Sequence, residues 1–195
     1  NGRTIFDREP KYLNTAETAI FHKGSFLFNL ADAKVDIKKE GAVLVEGQMD
    51  VITAYQAGIK NVIATSGTAL TEAQLKILQR YTNDLIFCLD SDSAGVNAVY
   101  RAVEIAERLG FNIKVAIIPP AYKDLDEVIN DSPAKAKKII KDAVDVYDFY
   151  ISSTLKANSK ESALGKKLIL ETLVPIFSKV RNPVILDHYS KILAS

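Results

Sequence analysis

Between residues 42 and 118 the chain repeats one rhythm: a short apolar run, then a stretch with helical spacing. The runs are 42–45, 62–64, 85–89 and 113–118, the last stopping at Pro119-Pro120. Each is too short for a helix, and an unbroken apolar run of that length reads as a strand buried on both faces. The intervening stretches carry helix punctuation. One runs from about Asp50 to Ala57 and is closed by Gly58, a residue that ends helices because it adopts the left-handed conformation at no steric cost. The next opens on Thr71-Glu72-Ala73-Gln74, a capping box with Thr71 as cap and Gln74 as its reciprocal partner. The third, 94–109, is closed by Gly110 and sets Gly95, Ala98, Val99, Ala102, Ala106 and Leu109 on one stripe. Strands alternating with helices at this spacing predict an α/β fold with a parallel sheet flanked by helices.

The flanks differ in character. Residues 1–40 form a lead-in with no clean period and a basic bias from Arg3, Arg8, Lys11 and Lys23, expected to pack onto the core through Phe26, Leu27, Phe28 and Leu30. Residues 34–41 suit a helix tail and a turn. Residues 41–122 are the α/β domain. Residues 123–195 read as an acidic loop or helix start followed by a small all-helical subdomain. Ser132-Pro133 supplies a cap and a proline at the first helical position. Ala136, Ile139, Ile140, Ala143 and Tyr147 then form one apolar helical face, and Leu170, Leu173, Val174 and Phe177 another, with Pro175 expected to kink it. Asn182-Pro183 precedes a last helix.

Composition excludes several classes of protein. A single cysteine rules out an internal disulfide framework and a cysteine-built zinc site. No apolar stretch reaches the roughly 18 residues that span a bilayer, and no signal peptide is visible, so a cytoplasmic location is expected. A net charge of +1 means that any hold on nucleic acid must come from a local patch. The chain opens on Asn1 rather than Met, as expected of a piece cut from a longer protein.

The strand ends carry the chemistry. The first run terminates in Glu46-Gly47 and the third in Asp90-Ser91-Asp92. In open α/β sheets ligands bind at the carboxyl ends of the strands. If these strands are neighbours, three carboxylates converge, and like charges that close must protonate, repel or bind a cation. Hard oxygen donors without a Cys or His cluster favour magnesium or manganese. In an extended segment Asp90 and Asp92 lie on one side, which suits two ligands for one ion or one for each of two. A calcium-binding loop is rejected, because its fifth position is Ala94 and its twelfth Arg101. A phosphatase with Asp90 as nucleophile and Asp92 as acid survives on this motif but leaves Glu46-Gly47 unexplained. The plain alternative is two solvated turn acids. Asp50 reads equally as a helix cap, and Asp124 and Asp126 as a solvated helix start beside Lys123. Lys11 and Lys23 suit phosphate and Tyr12 suits a base, though surface lysines on a packed arm explain them too. Cys88 reads as a small core residue. The turn at Ser66-Gly67-Thr68 lacks the Gly-Lys pair of a P-loop.

Taken in order, Val45-Glu46-Gly47-Gln48-Met49-Asp50, Ser66-Gly67-Thr68 and Asp90-Ser91-Asp92-Ser93-Ala94-Gly95 resemble the Toprim domain of bacterial primases, topoisomerases and some nucleases. Lys11-Tyr12-Leu13-Asn14-Thr15-Ala16-Glu17-Thr18 and Ile20-Phe21-His22-Lys23-Gly24 resemble the stretch that precedes Toprim in DnaG-type primases. The resemblance covers nearly the whole chain, departing mildly at Gln48, where the family often has Tyr. It implies a Toprim-type sheet and a primase core making short RNA primers from NTPs on single-stranded DNA. By position, Glu46, Asp90 and Asp92 would be catalytic and metal-binding, with Asp50, Asp124 and Asp126 as further metal-site acids. Arg3, Lys11, Tyr12, Asn14 and Lys23 would hold nucleotide phosphates and template. It further implies magnesium or manganese, with zinc only in a separate domain absent here. The partners would be an RNA–DNA hybrid product and a replicative helicase, the latter through another absent domain, with the chain itself a monomer. The readings left beside it are a Toprim nuclease, an aspartyl phosphatase, or a nucleotide-binding fragment inactive on its own.

Overall fold

The computed structural model of the chain describes residues 2–3, 12–13, 16–65, 69–88, 90, 93–180 and 182–194; for 2–3, 12–13 and 93–99 it describes the backbone alone. Strands β1 (Gly2–Arg3) and β2 (Tyr12–Leu13) pair antiparallel. The core then runs α1 (Leu30–Glu40), β3 (Ala42–Val45), α2 (Gln48–Gln56), β4 (Val62–Ala64), α3 (Glu72–Leu78), β5 (Asp84–Phe87), α4 (Ser93–Arg108) and β6 (Asn112–Val115). It continues with α5 (Leu125–Asp131), α6 (Pro133–Lys141), β7 (Val144–Asp145), α7 (Val146–Ala157), α8 (Ala163–Phe177) and α9 (Pro183–Leu193).

The sheet order is β4-β3-β5-β6-β7. The first four strands are mutually parallel, and β7 adds antiparallel to the β6 edge. The unbroken apolar runs divide between two cores because successive side chains on a strand point to opposite faces. Ala42, Leu44, Ile63, Leu85 and Phe87 face one core, closed by α1, α3, α4, α7, α8 and α9. Val43, Val45, Val62, Ala64 and Cys88 face the other, closed by α2, α5 and α6. Val43, Ile63, Leu85 and Phe87 are all 1% exposed or less.

Helix ends follow the sequence signals. Thr71 and Gln74 form the reciprocal capping box of α3, and Ser132 caps α6 with Pro133 in its first turn. Gly58 and Gly110 both take positive φ just past their helices. On α4 the stripe is seen at Ala102 and Ala106, which are buried, while Arg101, Glu104 and Arg108 are exposed.

Three expectations need correction. The apolar face drawn through Ala136, Ile139, Ile140, Ala143 and Tyr147 does not lie on one helix. Asp142 ends α6, and Asp145, after pairing in β7, caps α7 by accepting from the Tyr147 N–H. Between the two helices, Val144-Asp145 joins the sheet as β7, antiparallel to β6. Phe26 does not anchor the lead-in, being 39% exposed; Leu27 does, at 5%. Pro175 falls near the end of α8, in its last turn, where the helix is about to stop. Among the described residues no helix is long and apolar enough to cross a membrane.

Candidate active site

Strands β3 and β5 are hydrogen-bonded neighbours, with Leu44 opposite Phe87, and the Cys88 N–H donates to the Leu44 carbonyl at 2.9 Å. Glu46 follows β3 directly and Asp90 lies three residues past β5, so both stand at the carboxyl rim of adjacent strands. The chain leaves β3 into α2 on one face of the sheet and leaves β5 into α4 on the other. That divergence opens a crevice between the two strand ends, the position at which open α/β sheets take ligands. Both carboxylates are half-buried. Asp92 lies outside the described residues.

Asp50 comes to the same rim from the first turn of α2. Gly47 caps that helix without a side chain, and Asp50, three residues on, reaches back to the Gly47 N–H as the acidic half of a capping box would. The close approach requires glycine: a Cβ at position 47 would lie 2.6 Å from Asp50 Oδ2. The other oxygen, Oδ1, accepts from the Asp126 N–H at 3.1 Å. Asp50 is only 7% exposed. Burial, with the nearby charges of Asp124 and Asp126, pushes its pKa up to about 6, against the pull of those two N–H groups.

Asp124 caps α5 by accepting from the Glu127 N–H at 2.9 Å, and so is both a cap and part of the charge around Asp50. Asp126 is held at both oxygens: the Thr53 hydroxyl donates to Oδ1, and Asn130 Nδ2 donates to Oδ2 at 3.2 Å. Thr53 and Asn130 escaped the sequence reading. Their signal was there in helical spacing, Thr53 three residues after Asp50 and Asn130 four after Asp126. Cys88 links the two groups of acids. Its thiol, 2% exposed, is pushed up to about 12 by burial first and then by the negative charges of Asp50 and Asp90. One buried atom therefore feels a carboxylate from α2 and another from the end of β5.

The donors are hard carboxylate oxygens, and one of them, Asp50, has its pKa raised by burial and then by like-charged neighbours. That is the chemistry a magnesium or manganese ion satisfies. Among the described residues no three ligating side chains stand together closely enough to hold an ion; Asp92, the expected third, is outside them.

Of the basic set, Lys11 and Asn14 lie outside the described residues, and Arg3 and Tyr12 are described only as backbone in β1 and β2. Lys23 is described and half-buried, on a single 3₁₀ turn from Lys23 to Ser25. Phe28 bridges antiparallel to Ala64 of β4, its N–H donating to the Ala64 carbonyl at 2.9 Å. The residues before Phe28 therefore run out past the carboxyl end of β4, towards the rim that carries the acids.

The chain is similar to known proteins over nearly all its length. Residues 43–129 match the Toprim-like family, and residues 1–34 match the N-terminal domain of the DNA primase catalytic core. A DNA primase from Halalkalibacterium halodurans is 36% identical over 196 residues, covering 99% of this chain and 33% of the relative. The RNA polymerase domain of the Mycobacterium tuberculosis primase DnaG superposes with a TM-score of 0.84 at 29% identity, covering 98% of this chain and 64% of that one. A DnaG primase catalytic domain bound to single-stranded DNA superposes with a TM-score of 0.80 at 30% identity, over 99% and 64% of the two chains. The chain thus spans about a third of the length of the first curated relative. With a Toprim-like sheet, acids at its switch point and the primase-specific lead-in on one polypeptide, the chain belongs to the bacterial DnaG-type primase family.

Proposed function

We propose that the chain is the catalytic core of a primase, which synthesises short RNA primers from NTPs on a single-stranded DNA template. The 3′ hydroxyl of one nucleotide attacks the α-phosphate of the next; the new P–O bond forms as the bond to pyrophosphate breaks, and the hydroxyl proton passes to solvent or a rim carboxylate. Glu46, Asp90 and Asp92 would hold magnesium or manganese, which would lower the hydroxyl pKa and neutralise charge on the phosphates. Glu46 and Asp90 orient the reacting groups at the mouths of neighbouring strands. Asp50, with Asp124 and Asp126 behind it, adds negative potential that draws the cation to this rim. Lys23 contacts phosphate from the side of the crevice beyond β4; Arg3 and Lys11 are further phosphate contacts, and Tyr12 and Asn14 hold base and backbone. The DNA-bound relative supports a template in the same role here.

The observation that carries this reading is the shared rim of Glu46 and Asp90 at the switch point between β3 and β5. Asp90→Asn tests it. The variant is expected to lose labelled NTP incorporation while keeping its circular dichroism and melting temperature, and full activity would refute the assignment. Trapping a phosphoryl group on Asp90 would instead favour the phosphatase reading.

A further inference from the structure

Gln74 is fully buried, at 0% exposure, although its side chain belongs to the first turn of a surface helix. Both ends of its amide are engaged. Oε1 accepts from the Thr71 N–H at 2.9 Å, which is the reciprocal arm of the capping box. Nε2 donates to two carbonyls 48 and 51 residues away in sequence, Phe26 O at 2.8 Å and Lys23 O at 3.3 Å. Thr71 has the same double engagement. Its Oγ accepts from the Gln74 N–H at 3.1 Å to cap α3, and its hydroxyl proton goes to the Gly24 carbonyl. The two side chains thus bind three of the four carbonyls from Lys23 to Phe26. A capping box needs none of these three outward bonds, and a buried amide left with unused donors is costly; both Nε2 protons are used here because the lead-in lies against them.

This clamp fixes the backbone on which Lys23 is mounted. Among the described residues the Lys23 ammonium has no acidic partner, since Glu17 faces His22 at 3.8 Å and accepts from the Lys23 N–H rather than its side chain. A half-buried lysine with no acid partner among the described residues, on a turn pinned towards the carboxyl rim, is a cation pre-set for a phosphate.

We infer that Thr71 and Gln74 are positioning residues for nucleotide binding: through the Gly24, Lys23 and Phe26 carbonyls they hold the Lys23 ammonium where the triphosphate arrives. The inference rests on the proposed reading of Lys23 as a phosphate contact, and its test separates the two.

Capping and clamping can be pulled apart by substitution. Thr71→Asp keeps a good helix cap but has no proton for the Gly24 carbonyl. Gln74→Glu keeps the acceptor for the Thr71 N–H but has no donors for Phe26 and Lys23. Thr71→Ser keeps both functions. Binding of a methylanthraniloyl-labelled ATP to the whole chain, with magnesium present, gives a Kd for each variant and for Lys23→Ala. Hydrogen exchange reports on amides 23–28 and, separately, on amides 75–79 of α3. Thr71→Asp and Gln74→Glu are expected to raise Kd about three- to tenfold and to speed exchange at 23–28, with α3 still protected. Thr71→Ser should stay near the parent value. Gln74→Glu combined with Lys23→Ala should be no worse than Lys23→Ala alone, because the clamp acts through that lysine. If Lys23→Ala weakens binding but neither clamp variant does, or if the effects simply add, the positioning role is wrong while the phosphate contact stands. If Lys23→Ala leaves Kd unchanged, the phosphate reading falls and the inference with it.

Discussion

Asp50→Asn should stabilise the metal-free protein, and only above a certain pH. The carboxyl is buried against α5, and its pKa is pushed from 3.8 up to about 6, by burial first and then by the neighbouring charges of Asp124 and Asp126. That rise corresponds to about 3 kcal/mol of folding free energy lost on ionisation. The sign follows from proton binding. Between pH 4 and 6 the folded chain holds the proton more tightly than the unfolded chain, so unfolding releases it and stability falls as pH rises. Below that window both states are protonated, and above it both are ionised. Asparagine is a neutral isostere of the protonated carboxyl, and its oxygen can still accept from the Asp126 N–H; the Gly47 N–H loses its acceptor, a cost that is the same at every pH. In EDTA, urea unfolding followed by circular dichroism should therefore find Asp50→Asn more stable relative to the parent at pH 7.5 than at pH 4, by about 2–3 kcal/mol. Comparing the two pH values removes the effects of the substitution that do not depend on pH. Added manganese should narrow the gap at pH 7.5, because a cation relieves the parent carboxylate. An equal effect at both pH values, or a loss of stability confined to pH 7.5, would refute the reasoning.

Gly47→Ala places a Cβ 2.6 Å from Asp50 Oδ2, so it should lower stability by about 1–3 kcal/mol and weaken NTP incorporation; an unchanged melting temperature would contradict that geometry. Thr53→Val removes the hydroxyl that holds Asp126 and should cost about 1–2 kcal/mol, with Thr53→Ser restoring it, as read by urea midpoint. A Thr53→Ser variant as unstable as Thr53→Val would mean that methyl packing, not the hydrogen bond, is what matters at this position.

The parts of the fold written into neighbouring residues were legible in the sequence. Unbroken apolar runs announced β3, β4 and β5, and Thr71, Gly58, Gly110 and Ser132 marked their helix ends. Segment β7 was not legible because two residues carry no periodicity; only pairing with β6 makes Val144-Asp145 a strand. For the same reason α6 and α7 looked like one helix, their apolar positions continuing in helical register across a break made by Asp142 and Asp145. At the site, the strand-end acids could be named because topology alone brings Glu46 and Asp90 to one rim. The burial of Asp50 could not, since it depends on α5 lying across α2. Gln74 was read as half of a cap; its grip on Lys23 and Phe26 spans about fifty residues and has no local signature.

Anomalous scattering from crystals grown with manganese and an NTP tests the central claim most directly. The account predicts a manganese peak in the crevice between the ends of β3 and β5, coordinated by Glu46 and Asp90, with the triphosphate extending towards Lys23. A bound nucleotide with its metal elsewhere on the molecule, and no density between those two carboxylates, would contradict it.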